Sequence, residues 1–239
     1  MKRAFFSFHG ELNDFLGPIQ RGLKINCCYQ GSQSAKHLIE SLHVPHPEVG
    51  EIFNNGVSID MSYIVQDGDW IEVFPFQPKK SPTWEEARFL LDNHLGKLAA
   101  FLRILGFDTE YRNDFQDEEL AVISSQELRI LLTRDRGLLM RKIVMQGYCL
   151  RSLNPIQQLD EVIYRYHLGP IIRPFRRCVH CNHLLKPVDK VEVLERLEPL
   201  TRQYFDEFHI CPACHQIYWK GSHYDRLVEF IANRYIDKE

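Results

Sequence analysis

Two closely spaced cysteine pairs are the feature that most constrains the fold of this chain. Cys178 and Cys181 form one CxxC motif, Cys211 and Cys214 form a second, and 29 residues separate them. A CxxC turn directs two thiolates at one ion, and two such turns complete a tetrahedral site for Zn²⁺. The pattern therefore predicts a structural zinc site whose four protein ligands leave no open position for catalysis.

The alternative is a pair of redox-active CxxC motifs. Each would need a helix N-terminus in a thioredoxin-like setting, and two copies make this improbable. Four histidines adjoin the motifs, and one of them could replace a cysteine ligand, although the four thiolates already suffice: His180, His183, His209 and His215. The remaining cysteines fall in predicted strands, where we expect them to be buried: Cys27, Cys28 and Cys149.

Charge is spread unevenly along the 239 residues, whose formal net charge is -3. Residues 1–78 have a net charge of -4, residues 79–168 are neutral, and residues 169–239 have +1. None of these segments is a strongly basic footprint. Any nucleic-acid binding must therefore use a local patch.

The chain shows no pattern typical of a signal peptide or a membrane span. Polar residues interrupt the N-terminal segment at His9, Glu11, Asn13 and Asp14. No apolar run approaches the roughly 18 residues of a membrane span. We therefore expect a cytoplasmic protein without membrane association, in which reduced thiols favour metal binding over disulfides.

Short apolar segments separated by turn signals occupy residues 1–78. Strands are predicted at 2–9 and 22–28, a helix at 33–42, and further apolar segments at 49–53, 57–65 and 70–76. The predicted order is β-β-α-β-β, which indicates an α+β domain.

The segment Tyr63 to Phe76, YIVQDGDWIEVFPF, resembles the closing strands of the small sulfur carriers of thiamine and molybdopterin synthesis. This resemblance implies a β-grasp, ubiquitin-like fold. Those carriers end in a free Gly-Gly tail, whereas this chain continues through 77–83, QPKKSPT. Sulfur transfer is therefore not expected, and we interpret residues 1–78 as a small accessory domain or a domain for docking a protein partner.

A different periodicity begins after 77–83, which we interpret as a domain boundary. Strands predicted at 87–92, 107–111, 129–133 and 148–152 alternate with helices at 94–106, 117–127, 136–146 and 155–167. This alternation predicts an α/β domain with a parallel sheet over 84–168. The zinc ribbon and a C-terminal helix would then occupy 169–239.

Three aspartates are candidate ligands for a second metal. Asp92 and Asp135 follow predicted buried strands, and Asp117 opens the helix between them. Ligands bind at the carboxyl ends of parallel strands, and Mg²⁺ or Mn²⁺ prefers oxygen ligands. The alternative is that these residues cap helices or turns, which is the more common role for Asp117 taken alone. Three arginines flank Asp135 and are candidate phosphate contacts: Arg134, Arg136 and Arg141.

The segments RFLLDNHLGKLAAFLRILGFDTEYR, DEEL and RILLTRDRGLL resemble the PIN-like RNase domain family named after the C-terminal domain of the mutator exonuclease Mut-seven. The resemblance runs from Ala87 to Leu227, and that family also has two CxxC motifs and a segment like CPACHQIYWKGSHYDRL. It implies a metal-dependent ribonuclease whose acids match Asp92, Asp117 and Asp135. Where the family often has DEN, this chain has Asp92-Asn93-His94, so no fourth carboxylate is expected there.

These features together predict a β-grasp domain, a PIN-like nuclease domain and a zinc ribbon. The expected reaction is hydrolysis of single-stranded or tRNA-like RNA through Mg²⁺ or Mn²⁺, with Arg134, Arg136 and His223 contacting the substrate. For His223, packing at the ribbon end is an equally reasonable interpretation. The alternative function is a non-catalytic RNA- or tRNA-binding adaptor that keeps the zinc ribbon.

Overall fold

The computed structural model describes residues Met1–Ile236, except for the side chains of His223 and Ile236. These residues form two compact units. The first combines residues 1–77 with 115–151, and the second combines 78–114 with the chain from 152 onward. Each unit thus joins segments that are distant in sequence. The domain limits 1–78, 84–168 and 169–239 stay predictions.

Twelve strands and eight α-helices are found among the described residues. The strands are β1 (Lys2–Phe8), β2 (Ile25–Tyr29), β3 (Val49–Asn54), β4 (Val57–Ile59), β5 (Trp70–Pro75), β6 (Arg88–Leu91), β7 (Asp108–Tyr111), β8 (Ile130–Thr133), β9 (Gly147–Cys149), β10 (Lys186–Val188), β11 (Phe208–Ile210) and β12 (Ile217–Trp219). The helices are α1 (Ala35–Ser41), α2 (Gly96–Ile104), α3 (Asp117–Glu127), α4 (Arg136–Leu139), α5 (Pro155–Arg165), α6 (Lys190–Val193), α7 (Pro199–Tyr204) and α8 (Ser222–Ile231).

The N-terminal part of the first unit is a five-stranded sheet with the order β2-β1-β5-β3-β4. β1 and β5 pair in parallel, while β2, β3 and β4 join in antiparallel pairs. Helix α1 begins after Ser34, whose side chain accepts a hydrogen bond from the N–H of His37 at 3.2 Å. Leu38 and Ile39 bury the inner face of this helix. The arrangement is the expected ubiquitin-like one.

The same unit contains the parallel strands β8 and β9, paired from Leu131 with Gly147 to Thr133 with Cys149. All four residues of β8 are buried, as its unbroken apolar sequence predicts. Helix α3 precedes β8, and the short helix α4 connects β8 to β9.

The second unit contains another parallel pair, β6 and β7, with α2 as the connection between them. Helix α5 begins where expected, because Asn154 accepts hydrogen bonds from the backbone N–H groups of Ile156 and Gln157 and Pro155 occupies the first turn. The antiparallel strands β10, β11 and β12 form the ribbon. A small core of its own lies beneath them: Val193, Leu197, Phe208 and Ile217.

Several sequence predictions were wrong in detail. The sheet of residues 1–77 has five strands, one more than the predicted β-β-α-β-β order, and the segment predicted at 57–65 forms only the short β4 before a turn at Asp60. The helix predicted at 136–146 ends at Leu139, and a turn closed by Val144 N–H and Arg141 C=O leads to β9. Cys28 is exposed, because it points away from the core on the alternating strand β2.

Cys27 is half-buried and Cys149 is buried. The part of the chain that the structure describes contains no helix long and apolar enough to cross a bilayer.

Candidate metal centre and active site

The four predicted cysteine ligands converge in the second unit. The Sγ atoms of Cys178, Cys181, Cys211 and Cys214 all lie within 4.8 Å of one another. Sγ–Sγ distances across the two motifs are 3.5 Å for Cys178 to Cys214 and 3.3 Å for Cys181 to Cys211. A tetrahedral site with Zn–S bonds of about 2.3 Å needs sulfur atoms about 3.8 Å apart. The cluster would therefore accommodate a tetrahedrally coordinated, thiophilic ion once the sulfur atoms move slightly apart.

Both CxxC motifs have the same backbone geometry. The N–H of Cys178 donates to the carbonyl of His183 at 2.8 Å, and the carbonyl of Cys178 accepts from the N–H of Asn182 at 2.9 Å. The motif at Cys211 repeats both hydrogen bonds with the same spacing, at 3.0 Å each. Asn182 and His215 occupy equivalent positions and have left-handed φ angles of 68° and 59°. These two matching turns aim both cysteines of each motif inward.

Tyr218 stabilises negative charge on the first cysteine. Its Oη lies 3.1 Å from Cys178 Sγ and accepts a hydrogen bond from the N–H of Val179 at 3.1 Å, so its proton is available to the sulfur. Burial alone raises the pKa of Cys178, but the hydrogen bonds from Tyr218 and the backbone lower it to about 6. Burial and neighbouring thiols raise the pKa of Cys181 to about 12. A cation at the centre of the cluster would favour the thiolate form of these cysteines.

Hydrogen bonds of buried polar side chains connect the first CxxC turn to α2 and β7. Arg103 donates from Nη1 to the carbonyl of Val179 at 3.0 Å and from Nε to the carbonyl of Thr109 at 3.0 Å. Asn182 donates to Asp108 Oδ1 at 2.9 Å and accepts from the N–H of Thr109 at 3.0 Å. Arg103 and Asn182 were not predicted as site residues from the sequence, although an arginine on the apolar face of α2 was a usable signal.

Asp92 lies in the second unit, directly after β6. Its side chain is half-buried, and its Oδ1 accepts a hydrogen bond from the N–H of Asn93 at 2.7 Å. The phenol of Tyr111 donates to the Asn93 carbonyl at 2.9 Å, which fixes the turn after the strand. Asp92 therefore has the strand-end position that the sequence predicted.

Asp135 and Asp117 belong to the first unit. Asp135 caps α4, since its Oδ1 accepts from the N–H of Gly137 at 2.7 Å. Asp117 is the first residue of α3 but does not cap it, because the cap position is Gln116. Its Oδ2 lies 3.7 Å from Nη2 of Arg141. The capping interpretation is thus confirmed for Asp135 and wrong for Asp117.

The predicted substrate contacts have different surroundings. Arg134 is exposed at the end of β8. Arg136 donates to the carbonyls of Phe15 at 3.0 Å and Asp14 at 3.4 Å, and its guanidinium lies 5.0 Å from the Phe15 ring centroid. The side chain of His223, whose backbone is in α8, lies outside the described part of the structure.

The described part of the chain combines a ubiquitin-like sheet, parallel strand pairs followed by acidic residues, and a four-cysteine cluster with the geometry of a metal site. The family model described as "Mut7-C RNAse domain" matches residues 87–231, and the one described as "Mut7-C ubiquitin" matches residues 1–80. The chain belongs to the Mut7-C RNAse domain family and has the ubiquitin-like domain at its N-terminus. This membership indicates a nuclease-type, RNA-related function. No curated protein and no solved structure matches the chain significantly.

Proposed function

We propose that this protein is a metal-dependent ribonuclease that hydrolyses phosphodiester bonds in single-stranded or tRNA-like RNA. The observation that carries the proposal is the RNase-domain match over residues 87–231. That match includes Asp92, Asp117 and Asp135, the three acids that follow strands or open a helix in the predicted PIN-like part of the chain.

The three aspartates would hold the catalytic Mg²⁺ or Mn²⁺, which prefers carboxylate oxygens. Capping of α4 uses only Oδ1 of Asp135, so its Oδ2 remains available as a ligand. When bound, the ion lowers the pKa of a coordinated water and neutralises charge on the phosphodiester. Asp117 would exchange its ion pair with Arg141 for the metal.

Arg134 and Arg136 are both exposed, and the hydrogen bonds of Arg136 make Arg134 the better placed of the two proposed phosphate contacts. Arg136 already donates to the carbonyls of Asp14 and Phe15, so an RNA phosphate would compete with these hydrogen bonds. For His223 the proposal rests on its place in the matched segment alone.

The four cysteines would hold structural Zn²⁺. Their thiolate donors suit this ion, and four protein ligands leave it no open position. We therefore assign the cluster no step in hydrolysis. Its role is to stabilise the ribbon.

The second candidate is a non-catalytic RNA-binding adaptor whose ubiquitin-like domain docks a protein partner. One observation favours it: Asp92 and Asp135 already accept backbone hydrogen bonds, as purely structural turn and cap residues do. The two functions share the fold and the ribbon. They differ in whether the aspartates are needed for turnover.

The two candidates are separated by incubating the full-length protein with end-labelled single-stranded RNA or tRNA. Mg²⁺, Mn²⁺ or no divalent ion is added, and zinc content is measured in parallel. Cleavage that depends on the added ion supports the ribonuclease. Binding of intact RNA under every condition contradicts it and supports the adaptor.

A further inference from the structure

A cleft of about 450 Å³ opens beside the zinc ribbon in the second unit. Its walls come from residues 174–179, strands β11 and β12, and helix α8. The volume lies within the range of roughly 300–1,000 Å³ that is typical of small-ligand pockets. The cleft is therefore large enough for one nucleotide.

Aromatic rings supply much of the cleft wall. Phe175, Tyr218, Trp219 and Tyr224 all line it, and the rings of Phe175 and Tyr224 lie 4.2 Å apart at an angle of 39°. Trp219 is 38% exposed, so part of its indole is open to a ligand. Unpaired bases of any nucleotide sequence stack on aromatic side chains, because every base has a π face.

The segment that forms one side of the cleft is locally basic. Residues 166–188 contain no Asp or Glu, and their cationic residues are Arg173, Arg176, Arg177 and Lys186. The guanidinium groups of Arg173, Arg176 and Arg177 lie 5.5, 5.6 and 5.3 Å from the ring centroid of Trp84. This concentration of charge gives a chain of net charge -3 a local site for a polyanion.

Arg176 is the cation best placed to contact a ligand in the cleft. It lines the cleft and is exposed. Arg177 is held by Asp108, whose Oδ2 lies 3.4 Å from its Nη2. Lys220 is paired at 2.7 Å with Glu207, the one acid among the lining residues that the structure describes. The pairing of Glu207 with Lys220 reduces repulsion of an incoming phosphate.

We propose that this cleft binds an unpaired nucleotide of single-stranded RNA. The base stacks against the aromatic wall, and Arg176 contacts the adjoining phosphate. The inference rests on the proposed RNA substrate and adds a binding site built from residues other than the three aspartates. The cleft combines aromatic rings with a basic side chain, and this combination favours a nucleotide as ligand. An acidic peptide would interact with the basic side chain but would have no base to stack on the rings.

The test is equilibrium binding of a fluorescein-labelled single-stranded RNA decamer to the zinc-loaded full-length protein. No Mg²⁺ or Mn²⁺ is added, and a gel confirms that the RNA stays intact, so binding is measured whether or not the protein is a nuclease. Two variants probe the cleft, Arg176→Gln and Trp219→Leu. Matched controls are Arg226→Gln, exposed on α8, and Tyr204→Leu, exposed on α7; neither control residue lines the cleft.

We expect each cleft variant to weaken RNA binding roughly tenfold and each control to change it less than about twofold, since stacking and phosphate contacts act locally. Circular dichroism and zinc content identify any variant that has lost its fold. Equal loss in cleft and control variants overturns the proposal. Two other results would also overturn it. One is that wild-type protein binds no RNA, and the other is that poly-glutamate displaces the labelled RNA as effectively as unlabelled RNA does.

Discussion

The carboxylate of Glu48 accepts a hydrogen bond of 2.6 Å from the backbone N–H of Cys149, 101 residues further along the chain. Glu48 is fully buried, and Nη1 of Arg151 lies 3.1 Å from the same oxygen. Arg151 also lies 3.7 Å from Asp14 and stacks over the Phe15 ring at 4.7 Å. These contacts hold the ubiquitin-like domain and residues 115–151 together as one compact unit.

Replacing Glu48 should therefore destabilise the first unit. In Glu48→Gln the amide oxygen still accepts from Cys149, but Arg151 loses its buried counter-charge. Because Arg151 is 23% exposed and also contacts Asp14, we expect a cost of about 1–3 kcal/mol, below that of breaking a fully buried pair. Urea denaturation measures the free energy of unfolding. The control Glu51→Gln, exposed on β3, should stay within about 0.5 kcal/mol of wild type, and equal stability of both variants would contradict the account.

Gly106 is required where α2 turns toward β7. Its φ angle is 96°, and an added Cβ would lie 2.1 Å from the carbonyl oxygen of Arg173. Gly22 also has a positive φ, 69°, but a Cβ there meets nothing within 4 Å. Gly22→Ala should cost about 1–2 kcal/mol from backbone strain alone, and Gly106→Ala clearly more. Thermal and urea unfolding compare the two variants, and equal losses would show that the contact with Arg173 is unimportant.

The metal content of the ribbon provides a third test, which rests on the proposed zinc. Wild-type protein should contain about one Zn²⁺ per chain, and Cys211→Ser should lose most of it, because one of four thiolates is gone. The melting temperature should fall with the metal, since metal binding contributes directly to folding. Elemental analysis and calorimetry measure the two effects. Cys28→Ser, at an exposed thiol outside the cluster, should leave both unchanged.

Two substitutions at Asp135 separate its capping role from its proposed metal role. Asparagine caps helices as well as aspartate, so Asp135→Asn should keep nearly wild-type stability, whereas Asp135→Ala should lose about 1 kcal/mol. Both should abolish ribonuclease activity if the carboxylate holds the ion. Activity that follows stability, lost in the alanine variant and retained in the asparagine variant, would assign Asp135 a capping role alone.

Features that depend mainly on neighbouring residues could be predicted from the sequence. The CxxC spacing predicted a cysteine cluster, Asn154-Pro155 predicted the start of α5, and the apolar run before Asp135 predicted the buried strand β8. Each CxxC motif, the helix start and the strand depend on residues a few positions apart, and only the pairing of the two CxxC motifs spans a longer stretch. Their neighbours in the fold therefore do not change the outcome.

Long-range relationships were not readable in this way. Nothing near Glu48 in sequence indicates that a buried carboxylate will meet Cys149, and the contacts of Arg103 with the first CxxC turn span more than seventy residues. The exposure of Cys28 depends on which face of β2 meets the core. The roles of the three aspartates depend on an ion and on RNA, and so they stay predictions.

The most direct test of the central claim compares wild-type protein with the double variant Asp92→Asn/Asp135→Asn on end-labelled single-stranded RNA in Mn²⁺ and Mg²⁺. Zinc content and circular dichroism establish that both proteins are folded. Our account predicts metal-dependent cleavage by wild type and a loss of at least about a hundredfold in the variant, on the scale expected for catalytic groups. Equal cleavage by both proteins would contradict it. So would wild-type protein that binds RNA but does not cleave it.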